Sequence, residues 1–224
     1  MYRKLDEAAL GTILEAGIAE FARCGFQPAS VANVARAAGV SVGVIYKYCG
    51  DKQSLFLACV RHSLELLDAT LREAVPEGAD AETSIRALVP ALIAAARQHG
   101  NYNVLYNEIT SGSCREFAPE LAREIESRTA RLYTRLFKTA KEAGALAPGL
   151  APEAAAFFFD NLLMMLQFSY SCDYYQHRMR LYCGENAAWN DEMMADQLTR
   201  FLLGAMRGEG SCNISLPTTS EPPA

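Results

Sequence analysis

The chain of 224 residues is 50% hydrophobic and has a net charge of −5, a composition typical of a globular protein with a sizeable core. Its longest uncharged apolar run, residues 87–96, is much shorter than the roughly 20 residues that a membrane span needs, and it contains Pro90. Neither a membrane span nor a secretory signal is predicted, so the expected location is the cytoplasm.

Charge is unevenly distributed along the chain. Residues 1–61 contain seven Lys and Arg against five Asp and Glu, whereas the remainder is acidic. A mildly basic end on an acidic chain favours a nucleic-acid partner at that end. The seven cysteines are odd in number and include no Cys-x-x-Cys pair, so no disulfide framework or zinc site is expected. No other metal site and no cofactor is expected.

Apolar residues recur at helical spacing near the N-terminus. Ile13, Leu14 and Phe21 share one face of an amphipathic helix, which Gly25 is expected to end. Gly17 lies on the same face, where a glycine lowers helix stability by roughly 0.5–1 kcal/mol relative to alanine.

Two short helical segments and a tight turn follow. Ser30 is placed to cap a helix over residues 31–38, and Gly39 supplies the left-handed conformation that favours a helix end. Ser41 is placed to cap a second short helix that ends near Gly50. Two short helices joined at a glycine turn predict a helix-turn-helix.

The remainder of the chain also has helical periodicity. Asp51 is placed to cap a fourth helix that runs to about Ala74, before a loop around Pro76. Further helices are predicted over residues 81–98, 101–111, 119–145, 152–181 and 191–207. Because no segment alternates as a β-strand does, the predicted fold is all-α.

The segment Gly39-Val40-Ser41-Val42-Gly43 matches the G-x-S-x-G pattern of a hydrolase nucleophile. That pattern requires a strand before the serine, but the preceding residues predict a helix. The three histidines also lie in no recognisable motif. A serine hydrolase that uses Ser41 is therefore the least favoured function, and no catalytic residue is assigned.

Residues 13–56 resemble the DNA-binding head of the TetR family of bacterial repressors. The resemblance rests on Ile13, Leu14, Phe21, Gly25, Ser30, the turn from Ala38 to Ser41, Gly43, Tyr46 and Lys52. Glu20, Ala32 and Cys49 depart from the family pattern, as does the mid-helix Gly17.

This resemblance implies a ligand-responsive regulator that is not an enzyme. The family architecture is a three-helix DNA-binding head, here residues 1–50, followed by a helical effector-binding and dimerisation bundle over residues 51–207. Residues 208–224 are polar and proline-rich and are predicted to be a disordered tail. The expected protein is a repressor that binds a palindromic double-stranded operator as a homodimer and is released by a small hydrophobic effector. An all-helical carrier or scaffold with an idle head is the alternative.

The predicted DNA contacts divide into positioning and reading groups. A helix N-terminus holds a phosphate well, which favours Ser30, and Lys52 adds a charge. Valines contact thymine methyl groups, a glycine lets the backbone approach, and Lys47 donates to guanine. The full predicted set is Ser30, Ser41, Val42, Gly43, Val44, Tyr46, Lys47, Tyr48 and Lys52. The alternative is that Val44 packs internally and Lys47 is only solvated.

An effector pocket is implied by the resemblance, and aromatic, methionine and polar residues of the middle helices are its candidate lining. These are Tyr102, Tyr106, Glu108, Tyr133, Phe137, Asp160, Asn161, Met165 and Phe168. A buried carboxylate among them requires a partner, either an internal arginine or a cationic ligand. The alternative for the aromatic and methionine residues is plain core packing.

The predicted dimer interface lies on the last helix. Leu198, Phe201, Leu202 and Ala205 form an apolar stripe there, and Gly204 permits close approach. In the TetR family the last two long helices of each subunit form the dimer contact. The alternative is that the stripe is internal core.

Overall fold

The computed structural model describes residues 6–76, 78–109, 114, 118–186 and 190–208. Over these residues the chain forms ten α-helices and no strand, which confirms the predicted all-α fold. The helices are α1 Glu7–Cys24, α2 Val31–Ala37, α3 Val42–Cys49, α4 Lys52–Ala74, α5 Ala81–Gln98, α6 Gly100–Ile109, α7 Ala118–Glu142, α8 Pro152–Ser171, α9 Asp173–Cys183 and α10 Asp191–Arg207. No helix among them is long and apolar enough to cross a membrane. The predicted disordered tail lies outside the described residues, except for Gly208.

The predicted helix starts lie within one residue of the observed ones, but not all of the predicted N-cap side chains form a capping hydrogen bond. Asp51 caps α4 by accepting a hydrogen bond from the Ser54 amide at 2.7 Å. Ser30 and Ser41 occupy the N-cap positions of α2 and α3 with extended backbone, yet neither side chain forms a capping hydrogen bond. The start of α2 therefore depends on support from elsewhere in the fold.

The segment predicted as one helix over residues 152–181 is two helices. Cys172 adopts an extended conformation between α8 and α9, although its amide still donates to the Phe168 carbonyl at 2.8 Å. The periodicity did not reveal this break because helical spacing continues on both sides of it.

Two hydrophobic cores divide the described chain. The first joins α1–α4 to α6 and α7, and includes Phe21, Phe26 and Phe56 with ring centroids 4.9–6.3 Å apart. The second joins α5, α7, α8 and α10. Helix α4 contributes Phe56 and Cys59 to the first core and Leu71 to the second, so it belongs to both. The division at residue 50 stays a prediction.

Close packing between α1 and α4 explains why residue 17 is a glycine. A Cβ atom at this position would lie 2.6 Å from the Cys59 Sγ atom, which is closer than such atoms approach. Cys59 is fully buried, and its thiol points to the Leu14 carbonyl at 3.5 Å. The glycine that appears unfavourable within an isolated helix therefore admits a side chain from its neighbour.

Candidate nucleic-acid interface and effector cavity

Glu20 connects α1 to the start of α2. One carboxylate oxygen accepts hydrogen bonds from the Ser30 amide at 3.1 Å and from Asn33 Nδ2 at 2.9 Å. The other oxygen accepts from Arg23 at 2.7 Å. The residue is only 8% exposed, so burial raises the pKa of Glu20, but these hydrogen bonds and the Arg23 charge outweigh burial and hold the pKa at about 2. An ionised carboxylate thus fixes α2 against α1.

The turn between α2 and α3 is held by backbone hydrogen bonds. Gly39 has a φ of +68°, a conformation that favours glycine, and the Val40 amide donates to the Ala35 carbonyl at 2.9 Å. Ile45 anchors α3 in the first core at 1% exposure. Ser41 therefore follows a helix and a turn instead of a strand, and the local geometry of a hydrolase nucleophile is absent there.

The exposed face of α3 carries most of the predicted DNA contacts. Ser41, Gly43, Tyr46, Lys47 and Tyr48 are exposed. The Lys47 ammonium lies 5.5 Å from the centroid of the Tyr48 ring.

Val42 and Val44 differ from the other residues of α3. Both are half-buried and pack partly against the first core. They therefore present less surface to a partner than Tyr46 or Lys47 does.

Lys52 is engaged within the head. Its ammonium donates to the Gln27 carbonyl at 2.7 Å and lies 5.2 Å from the centroid of the Phe26 ring. It thereby ties the start of α4 to the connection between α1 and α2. Ser30 is half-buried beside Glu20. The predicted phosphate contacts of Ser30 and Lys52 stay predictions.

A partly open cavity lies among α4, α6, α7 and α8. The space open to the centre of a water molecule is about 70 Å³. Four of the nine predicted residues line it, namely Tyr102, Tyr106, Tyr133 and Asp160. The sequence-based prediction did not include Glu126 of α7 or the contribution of α4, which is Val60, Ser63, Leu64 and Leu67.

The other five predicted pocket residues lie elsewhere. Phe137 packs against Phe159 in the second core, with ring centroids 5.5 Å apart, and Phe168 packs against Tyr106 at 5.6 Å. The Asn161 side chain donates to the Phe157 carbonyl at 2.7 Å.

Met165 and Glu108 complete this set. Met164 lines the cavity in place of Met165, a difference of one residue around α8. Glu108 lies on the side of α6 that contacts the head, where it accepts a hydrogen bond from the Phe26 amide at 3.0 Å. The residue types alone do not show which face of each helix lines the cavity and which face packs elsewhere.

Two carboxylates share the cavity wall. Burial raises the pKa of Asp160 to about 6, the nearby Glu126 charge adds to this rise, and a hydrogen bond with Thr129 opposes it. Glu126 accepts a hydrogen bond from the Tyr106 hydroxyl at 2.6 Å. The cavity is therefore acidic as well as aromatic.

Helix α6 links the cavity to the head at two points. Tyr102, which lines the cavity, donates to Glu15 of α1. Glu108 accepts from the Phe26 amide, directly after α1. Gly25 fits this contact, because its φ is +80° and a Cβ atom there would lie 3.0 Å from a Glu108 oxygen.

Helices α8 and α10 leave aromatic side chains exposed. Phe157 and Phe158 of α8 are 65% and 58% exposed, and Phe201 of α10 is 63% exposed. Within the predicted interface stripe, Ala205 is also exposed and Leu198 is half-buried. Leu202 is buried in the chain's own second core, so the internal alternative holds at that position.

An exposed α3, held on α2 by a glycine turn, defines a helix-turn-helix protein. Comparisons with known proteins agree with this geometry. Residues 13–59 match the family model described as bacterial regulatory proteins, tetR family.

Relatives extend the similarity beyond the head. The HTH-type transcriptional regulator BetI of Burkholderia thailandensis is 31% identical over 153 residues, which cover 68% of this chain and 76% of that protein. BetI of Paraburkholderia xenovorans is 31% identical over 133 residues, 59% of this chain and 67% of that protein. The transcriptional regulator FadR from Bacillus subtilis in complex with stearoyl-CoA shares the fold with a TM-score of 0.70 and 14% identity, over 88% of this chain and 99% of that one.

The chain belongs to the TetR family of bacterial regulatory proteins. It is a helix-turn-helix transcriptional regulator, and the alternative of a helical carrier with an idle head is not favoured.

Replacing Glu20 tests whether its carboxylate holds the head together. Since the folded-state pKa of about 2 lies below the ordinary 4.5, ionised Glu20 stabilises the fold above pH 4.5, and this contribution is lost as the pH falls toward 2. We expect Glu20→Gln to lower the free energy of unfolding at pH 7 by about 2 kcal/mol, and by much less near pH 2.5.

Urea denaturation followed by circular dichroism at both pH values measures this difference. Glu7→Gln, at an exposed position in the first turn of the same helix, is the control and should lose much less stability at pH 7 than Glu20→Gln. An equal loss for Glu20→Gln at pH 7 and pH 2.5 would contradict the assignment.

Proposed function

We propose that this protein is a repressor that binds a palindromic operator as a homodimer and leaves it when a small molecule occupies the cavity beside α6. The exposed face of α3, in a head that α6 links to that cavity through α1 and Phe26, is the observation that carries the proposal. Ligand occupancy changes DNA affinity when the ligand prefers one arrangement of the heads over another.

In this proposal α3 lies in the major groove. Lys47 donates to a guanine edge, while Tyr46 and Tyr48 donate hydroxyl groups to the DNA backbone. Ser30, Ser41 and Lys52 hold phosphates at the rim of the contact, and the half-buried Val42 and Val44 contribute limited contact with thymine methyl groups. In this arrangement Lys47 recognises most of the operator sequence.

Gly43 supports this orientation of α3. A Cβ atom there would meet only the Ser41 Oγ atom, at 3.8 Å, so the packing of the protein itself leaves room for a larger residue. Gly43 also has no positive φ that would require glycine. A glycine in this exposed first turn thus fits close approach of DNA to the helix backbone.

Replacing Gly43 by alanine separates stability from DNA binding. Alanine favours a helix over glycine by up to about 1 kcal/mol, so Gly43→Ala should unfold at the same temperature as the wild type or a higher one. We expect its operator affinity to fall about tenfold, because the added methyl group enters the DNA contact and removes about 1.4 kcal/mol of binding.

Fluorescence anisotropy measures this affinity, with a labelled duplex selected from a random pool by the wild-type protein. Gly11→Ala is the matched control, since Gly11 is also helical and has open space around its Cβ position. Unchanged DNA affinity in Gly43→Ala would remove the argument for α3 in the groove.

The homodimer is proposed to form through the outer faces of α8 and α10. Both helices pack on α5 through their inner residues, and their outer faces carry Phe157, Phe158 and Phe201. Exposed aromatic side chains of this size mark interaction surfaces. A twofold contact would cover them and set the spacing of the two heads.

A charge placed in this face should separate the subunits. We expect Phe201→Glu to elute as a monomer at micromolar concentration in size-exclusion chromatography with light scattering, where the wild type is a dimer. Tyr182→Glu is the control, because Tyr182 is 79% exposed but lies on α9. A wild-type monomer, or a dimer that only Tyr182→Glu disrupts, would refute the proposed interface.

Transmission from cavity to head is proposed to run through α6. A ligand that fills the cavity presses on Tyr102, which also bonds Glu15 of α1. Glu108, six residues further along α6, accepts a hydrogen bond from the Phe26 amide. A shift of α6 therefore displaces the head at both points.

Removing both contacts should loosen the head selectively. In Tyr102→Phe/Glu108→Ala, two hydrogen bonds worth about 0.5–1.5 kcal/mol each are lost, so amides of α1 and Phe26 should exchange roughly tenfold faster. Amides of α5 and α10 should exchange at the wild-type rate in the same hydrogen-exchange experiment. Asn101→Ala, on the exposed side of α6, is the control. Equal head protection in the double variant and the control would exclude this route.

A further inference from the structure

We infer that the cavity takes a compact organic cation, whose amine or ammonium group lies between Asp160 and Glu126 and against tyrosine rings. The inference rests on the proposed role of the cavity as the effector site, and it specifies the chemistry of the effector. Its apolar part would contact aliphatic walls such as Leu64 and Leu163, which retains the expectation of a hydrophobic effector.

The balance of charge in the cavity is one argument. Among the described residues that line it, there are two carboxylates and no Lys, Arg or His. Hydroxyl groups of Tyr106 and Thr129 contact the carboxylates, but neither neutralises them. Because a charge removed from water is costly unless it is paired, a cation is the ligand that this wall lacks.

Tyr133 supplies an independent argument. It is 2% exposed and lines the cavity, and its hydroxyl forms no hydrogen bond with any part of the chain that the structure describes. A cavity-lining hydroxyl without a partner in the chain is available to a ligand. Its ring, with those of Tyr102 and Tyr106, also provides the aromatic faces that attract organic cations.

The size of the cavity limits the cation. A space of about 70 Å³ for water centres holds roughly five water molecules. A single ring or a small alkyl group with one charged nitrogen fits this space. A long acyl chain or a nucleotide would need a large displacement of α6 or α8.

Three probes of one shape test the charge preference directly. Benzylamine is positively charged at pH 7.5, benzyl alcohol is neutral and benzoate is negatively charged. Isothermal titration calorimetry with the full chain, without DNA, measures each affinity. We expect benzylamine to bind at least about tenfold more tightly than benzyl alcohol, a difference of 1.4 kcal/mol, and benzoate to bind most weakly.

Variants assign the preference to the two carboxylates. Asp160→Asn and Glu126→Gln should each reduce the preference for benzylamine over benzyl alcohol, and the double variant should abolish it while it still binds the alcohol. Glu153→Gln is the control, because Glu153 is an exposed carboxylate on the same helix as Asp160. Its preference should equal that of the wild type.

Several results would overturn the inference: equal binding of benzylamine and benzyl alcohol, tighter binding of benzoate, no binding of benzylamine, or an undiminished preference in both single variants.

A separate experiment measures the effect of benzylamine on DNA binding. Anisotropy with the selected duplex tests whether benzylamine releases the wild type from DNA. Charge-selective binding without release supports the cation site and refutes the proposed ligand response, whereas DNA binding without any charge preference refutes only the cation site.

Discussion

The buried carboxylate of Glu20 is the contact on which the DNA-binding head depends. Helix α2 has seven residues, too few to be stable alone, and the Ser30 side chain does not cap it. Glu20 compensates by accepting hydrogen bonds from the Ser30 amide and Asn33. Since α3 is positioned through α2 and the Gly39 turn, a hydrogen-bonded contact between α1 and α2 determines which face of α3 meets the solvent.

Several residues of α1 and its C-terminal end are explained only by the contacts that they make with other parts of the fold. Gly17 makes room for Cys59, and Gly25 brings Glu108 against the Phe26 amide. Glu20 departs from the apolar pattern of its family, and its carboxylate bonds the start of the next helix as well as Arg23 of its own helix. Each of these residues takes part in a contact between separate helices or their ends. The cost of Gly17 and Glu20 within α1 is offset by packing or hydrogen bonding to a neighbouring helix.

The arrangement of α6 gives a physical basis for communication. Its cavity side carries Tyr102 and Tyr106, and its head side carries Glu108. One rigid helix therefore forms a wall of the cavity and a support of the head. The acidic character of the cavity adds selectivity, because Asp160 and Glu126 remain without a basic partner among the described residues that line it.

The sequence by itself determined the all-α fold, the helix-turn-helix and most helix bounds to within three residues, because periodicity, glycine positions and Asp caps are local signals. It did not determine the break at Cys172, since an apolar pattern continues through it. Nor did it distinguish Met164 from Met165, or identify Glu126 and the α4 wall of the cavity. Those depend on how distant helices rotate and pack against one another, which only the tertiary structure decided.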